Sequence, residues 1–178
     1  MLSILRATTV AFAGLALMPA LARAHSTADP SEGAAGDYLR TAFRVTHGCK
    51  GSATTAVTIR IPEGVLQAKP MPKAGWTIET KTRPLDTPVD SGHGFKIREA
   101  VTEVTWSGGR LENAHFDEFV LSMRLPNKPG ATLYFPMVQT CEKGSNNWTG
   151  IPAAGQKWGD LPEPAPYIAV KKAVGHAH

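Results

Sequence analysis

Apolar and polar residues alternate along this chain in short runs. Residues 39–45 place Leu39, Phe43 and Val45 on one face, and 56–61 do the same with Val57, Ile59 and Ile61. Residues 101–106, 119–125 and 132–138 repeat the pattern, the second through Phe119, Leu121, Met123 and Leu125. A period of two is that of a half-buried strand, whose side chains point alternately to opposite faces. The runs are separated by turn-forming residues at 62–64, 70–75, 91–94, 107–109 and 126–130, rich in Pro and Gly. No stretch carries the 3.6-residue period of an amphipathic helix. Short alternating runs with frequent turns predict an all-β fold, a β-sandwich. From about Leu161 the chain is rich in Pro and Ala, adds a strand near 167–170, and ends in a tail reaching His178.

The first 24 residues break the pattern. Arg6 precedes an apolar run over 7–17, Pro19 interrupts it, and Ala22-Arg23-Ala24 has the small-x-small form of a signal peptidase site. The run is too short for a membrane anchor and lacks a charged stop-transfer flank. The expected organisation is a cleaved signal peptide over 1–24, a sandwich domain over 25–160 and a C-terminal strand and tail over 161–178. The expected location is across the inner membrane, in a bacterial periplasm, with no span left after cleavage. The chain's 19 basic and 15 acidic residues give +4, and loss of Arg6 and Arg23 lowers this to +2. Without a basic cluster beyond Lys171-Lys172, nucleic-acid binding has no support. Cleavage also makes His25 the first residue.

The chain has two cysteines, Cys49 and Cys141. In an exported protein a lone pair most simply forms one disulfide. A loop of about 90 residues closed this way contributes roughly 4–5 kcal/mol in the chain-entropy account. A thiol pair that binds metal or cycles between redox states is the alternative, although there is no C-x-x-C spacing. A hairpin of 116–125 with 131–141 around the turn at 126–130 would set Cys141 beside Glu118. A first strand from His25, antiparallel to 39–47, would return His25 to the end that holds His47 and Cys49. This gathers His25, His47, His115, Glu118 and Trp148 at one pole.

A terminal histidine has its own chemistry. Its free α-amine and its imidazole chelate one metal ion, and such nitrogen donors suit Cu(II) above other first-row divalent ions. The amine titrates near pH 7.7–8.0 in reference peptides, so a metal displaces its proton readily at neutral pH. A carboxylate such as Glu118 would complete the set. Met71, Met123 and Met137 are scattered and form no soft, methionine-rich site for Cu(I).

Several stretches together resemble the YcnI-like copper-binding proteins. They are Ala24-His25, His47-Gly-Cys-Lys-Gly-Ser-Ala-Thr-Thr55, Ile61-Pro-Glu-Gly64, Lys69-Pro-Met-Pro-Lys-Ala-Gly-Trp76 and Glu103-Val-Thr-Trp106. Ala114-His-Phe-Asp-Glu-Phe119, Leu133-Tyr-Phe-Pro136, Gln139-Thr-Cys-Glu142 and Asn147-Trp148 complete the series. The resemblance runs from His25 to about Pro166. It implies an exported immunoglobulin- or fibronectin-like β-sandwich that binds Cu(II) through a single-histidine brace. That brace is the amine and imidazole of His25, a glutamate and the nearby Trp148. The glutamate is taken as Glu118, with Glu103 and Glu79 as runners-up. The start departs from the pattern, since His25-Ser-Thr-Ala stands where an apolar strand of the His-Val-Thr-Val type is usual.

Three functions compete on these grounds. The first is a non-catalytic Cu(II) carrier in copper acquisition, trafficking or homeostasis, serving another copper-transport protein or a membrane copper transporter. The second is an oxidative copper enzyme of the monooxygenase type, which needs a second histidine such as His47 or His115. The third is a metal-free adhesive or assembly sandwich. A hydrolase is disfavoured, because neither a G-x-S-x-G elbow nor an H-E-x-x-H helix is present. Trp76 and Trp106 read as packing residues, His93 as an exposed loop residue, and His176 and His178 as a tail that binds metal loosely at most.

Overall fold

The structure, a computed structural model, describes residues 25–173. The signal peptide expected over 1–24 and the histidines at 176 and 178 lie outside the described residues. Twelve strands follow in order: β1 (Ala28–Asp29), β2 (Glu32–Ala34), β3 (Tyr38–Val45), β4 (Thr54–Arg60), β5 (Leu66–Pro70) and β6 (Thr77–Asp90). Then come β7 (Lys96–Leu111), β8 (Asp117–Arg124), β9 (Thr132–Tyr134), β10 (Met137–Cys141), β11 (Ser145–Trp148) and β12 (Tyr167–Lys171). One 3-10 turn, Trp158–Asp160, is the sole helical element among the described residues.

The strands form a sandwich. One sheet has the order β1-β3-β8-β5 and the other β11-β10-β4-β7-β6, with a third sheet β2-β12-β9 beside them. The alternation read from the sequence is what fills the space between: Phe43, Val57, Ile59, Val104, Trp106, Phe119, Leu121 and Met123 are all fully buried. The third sheet adds Leu133, Ile168 and Val170 to the same core. Trp106 spends its indole N–H on the Met71 carbonyl at 3.2 Å. Trp76 lies flat on Gly109, where an added Cβ would sit 2.1 Å from the ring, so only glycine admits this packing.

The expected hairpin of 116–125 with 131–141 does not form. β8 pairs with β3 and β5, whereas β10 pairs with β4 and β11 in the opposite sheet. The run 132–138 is split between β9, which joins β12, and β10. Pro136 stands at the break, and its missing N–H cannot continue a ladder. The loop at 126–130 therefore crosses between layers instead of joining neighbours. The other expected pairing does form. β1 runs antiparallel to β3, with Ala28 opposite Phe43 and Asp29 opposite Ala42.

Candidate metal site

That pairing positions the start of the domain. The Arg44 amide donates to the Thr27 carbonyl at 2.9 Å, which carries the β1–β3 alignment back toward His25. Ser26 is buried, and its hydroxyl donates to the Arg44 carbonyl at 2.7 Å and lies 3.7 Å from Met137 Sδ. The residue after His25 is thus tied to both sheets. His25 consequently sits at the end of β3 from which the 46–52 turn departs.

The His25 ring stands between two tryptophans. Its centroid is 5.1 Å from the Trp158 ring at 85° and 6.4 Å from the Trp148 ring at 71°. Both are edge-on contacts of the kind aromatic rings favour. Nε2 of His25 is buried there with no hydrogen-bond partner among the described residues. A buried polar nitrogen left this way costs about 1–3 kcal/mol, and the ring's other nitrogen, Nδ1, is the one within chelating reach of the residue's own backbone nitrogen.

Trp148 ends β11, opposite Met137, and is buried. Its orientation is set by Gln139, a residue 1% exposed in the middle of β10. Trp148 Nε1 donates to Gln139 Oε1 at 3.2 Å, and Asn146 Nδ2 donates to the same oxygen at 3.1 Å. Gln139 Nε2 in turn donates to the His47 carbonyl at 2.6 Å and to Thr54 Oγ1 at 2.8 Å. With its N–H spent, Trp148 can offer a neighbour only the carbon edge and face of its ring.

Cys49 and Cys141 are joined by a disulfide 92 residues apart in sequence. The bond fixes the turn after His47 to the end of β10. Gly48 lets that turn close, since a Cβ there would lie 1.8 Å from the Ser52 carbonyl oxygen. The His47 ring lies 6.3 Å from Trp148, on the indole that also meets His25.

The carboxylates are distributed differently. Glu118 does lie at this end of β8, opposite Arg44, but its carboxylate is held by Arg44 Nε at 3.0 Å. Arg44 also grips Asp29 at 2.9 Å. β3 stands between β1 and β8 in the sheet, so Glu118 lies two strands, about 10 Å, from β1. Paired first with Glu118 and then with Asp29, Arg44 holds its proton even more firmly than a guanidinium ordinarily does. Glu103 is bound by Lys81 at 2.6 Å in the other sheet, and Glu79 is exposed on β6. No cluster of three or more His, Cys, Asp and Glu residues forms among the described residues. His93 and His115 are exposed in loops.

The structure thus brings His25, Trp148 and His47 together and adds two residues that the pattern did not reveal, Trp158 and Gln139. Trp158 lies in the 3-10 turn of an irregular segment rich in Pro and Gly, with no periodicity to mark it. Its indole is held by an N–H donated to the Ala165 carbonyl at 2.7 Å. Gln139 sits inside an apolar alternation, and a polar residue at a core position of β10 was the available signal.

A solved structure similar to this chain is that of an uncharacterised protein from Nocardia farcinica with an immunoglobulin-like fold. It is 31% identical, the match covers 83% of this chain and 98% of that one, and the TM-score is 0.61. The sixth cohesin of scaffoldin B from Acetivibrio cellulolyticus, solved with a dockerin, matches at 8% identity and a TM-score of 0.40, over 83% of this chain and 98% of that one. None of the curated proteins matches. The fold is therefore an immunoglobulin-like β-sandwich closed by one disulfide. A family match that begins at His25 and runs to residue 170 covers all twelve strands except the last residue of β12, and the chain belongs to that family, described as Domain of unknown function (DUF1775).

Proposed function

We propose that the processed chain, beginning at His25, binds Cu(II) outside the cytoplasm and acts as a carrier in copper acquisition, trafficking or homeostasis. The observation that carries this reading is the setting of His25. It is the residue at which the family match begins, and its imidazole is held between Trp148 and Trp158, which fixes the ring whose Nδ1 would close a chelate with the α-amine. The donors suit the ion in kind. Removal of residues 1–24 turns the His25 amide into an amine, and amine plus imidazole is a nitrogen chelate for Cu(II). Trp148 lies beside it with its N–H already engaged, so it shields the ion and contributes a ring face.

Glu118 is the carboxylate of this proposal, and it joins only by leaving Arg44. That exchange makes the oxygen donor releasable, as a carrier requires. Copper here is cargo, and no catalytic step is assigned.

The test compares protein starting at His25 with protein carrying one extra residue before it. Titration with Cu(II), followed by EPR, is expected to find binding weakened by about tenfold or more in the extended form. Equal affinity and identical spectra in the two forms would overturn the chelate, and no uptake by either would favour a metal-free sandwich.

A further inference from the structure

We infer that His47 supplies a second imidazole donor to the metal at this pole, through Nε2. The inference rests on the reading of His25 just given and extends it to a residue on a different element.

Four observations point the same way. The first is the ring's tautomer. His47 Nδ1 lies 2.7 Å from the Gly48 carbonyl oxygen. A carbonyl oxygen only accepts, so Nδ1 carries the proton, and the neutral ring keeps its lone pair on Nε2. An imidazole that ligates a metal through one nitrogen commonly donates the other N–H to a backbone carbonyl, which fixes the tautomer and aims the ring.

The second is location. The rings of His47 and His25 both meet Trp148 edge-on, at 6.3 Å and 6.4 Å. Ser26, adjacent to His25, is packed in the same crevice as His47, Trp148 and Gln139.

The third is rigidity. Gln139 Nε2 takes the His47 carbonyl, Asn113 Oδ1 accepts the Gly48 amide at 3.2 Å, and the disulfide at Cys49 closes the turn. A ligand held on three sides loses little conformational freedom on binding metal.

The fourth is the charge balance around it. Arg44 borders the same crevice, and Asp29 stays paired with it at 2.9 Å when Glu118 leaves it for the metal, so a divalent cation is not met by an unpaired guanidinium.

Two imidazoles and one amine make a three-nitrogen set, which holds Cu(II) more tightly than the chelate alone. They come from different segments of the chain: the first residue of the domain and the residue two before Cys49. Loading the metal would therefore fasten the N-terminal segment to the disulfide-bearing turn.

The test uses protein processed to begin at His25, with the variants His47→Ala and His47→Gln, and His115→Ala as a control at an exposed histidine. Pulsed EPR of the Cu(II) form counts coordinated imidazoles. Two are expected in the unmodified protein and in His115→Ala, and one in either His47 variant, with affinity lowered by about tenfold or more. Nitrogen-15 NMR of the metal-free protein is expected to find His47 protonated on Nδ1. Thermal unfolding checks that each variant is folded.

If the unmodified protein binds copper with one imidazole and the His47 variants match it, the inference is overturned and the His25 chelate stands. A metal-free His47 protonated on Nε2 alone overturns the inference even if both variants misfold. If no copper binds, both readings fall together.

Discussion

Gln139 is the residue on which the candidate site hangs. It is an amide in a position the strand alternation assigns to the core, and it is satisfied by four partners: Trp148, Asn146, Thr54 and the His47 carbonyl. Such networks are stable when complete and costly when broken, because the low-dielectric interior penalises every orphaned group. Gln139→Leu roughly keeps the volume and takes the partner from the Trp148 and Asn146 N–H groups and the His47 carbonyl, while Thr54 keeps its contact with Cys141 Sγ. We expect a loss of about 2–4 kcal/mol, allowing for partial rehydration near the pole, measured by urea unfolding. The tryptophan emission should shift as the Trp148 N–H loses its acceptor. A stable variant with unchanged emission would mean that Trp148 is held by packing alone. His25, Trp148 and the cysteine pair were legible in the sequence because their chemistry is a property of residue type and position. Glu118 was placed at the right pole for the wrong reason. The pairing of β8 with β3, not a hairpin with β10, brings it there, and the same pairing sets Arg44 against it.

At the scale of elements, the long β6–β7 hairpin shows how a strand pair is ended. Its tip turns through Ser91-Gly-His-Gly94, with Asp90 Oδ1 accepting the Gly92 amide at 2.8 Å and Oδ2 paired with Lys96 at 3.0 Å. Arg124 on β8 ties the tip down by donating to the Asp90 carbonyl at 3.0 Å and the Ser91 carbonyl at 3.3 Å. The Gly92 amide, then Lys96, hold the Asp90 carboxyl below its usual value. A carboxyl with a depressed folded value contributes stability above its unfolded value, and that contribution is lost as pH falls through the folded one. Below about pH 4, where a free aspartate protonates, the Gly92 amide is expected to exchange faster with solvent while the core amides do not. In Asp90→Asn the acid-dependent step should vanish. Exchange at Gly92 that follows only the intrinsic pH trend in the native chain would remove this role. The turn was legible from its glycines, whereas the anchoring Arg124 was not, because it comes from a strand in the other sheet, 34 residues from Asp90.

At the scale of the molecule, the disulfide connects the two sheets at the pole where the candidate site lies. It joins the turn after β3 to the end of β10, and thus the sheet that positions His25 to the sheet that carries Trp148. The loop it closes spans 92 residues. Replacing both cysteines by serine is expected to lower stability by about 4–5 kcal/mol, mainly through the freed unfolded chain. Equilibrium unfolding in urea measures this, with no change in m beyond that of a less compact unfolded state. A loss under 1 kcal/mol would mean that the sandwich core alone determines the pole.

The sequence by itself determined the all-β class, the positions and facing of β3, β4 and β8, the cysteine pair and the candidate terminal histidine, while β6 and the passage of β7 through the expected turn at 107–109 were not legible. The legible features follow from local rules: a strand alternates with period two, Pro and Gly end it, and a residue's donor atoms belong to it wherever it lies. Only the tertiary structure decided which strands are neighbours, that Trp158 and Gln139 surround His25 and Trp148, and that Arg44 holds Glu118. Strand pairing is non-local. Two runs with the same alternation are equally able to pair, and the choice is made by how all of them close around one core, with Pro136 breaking the ladder that the shortest connection would have built.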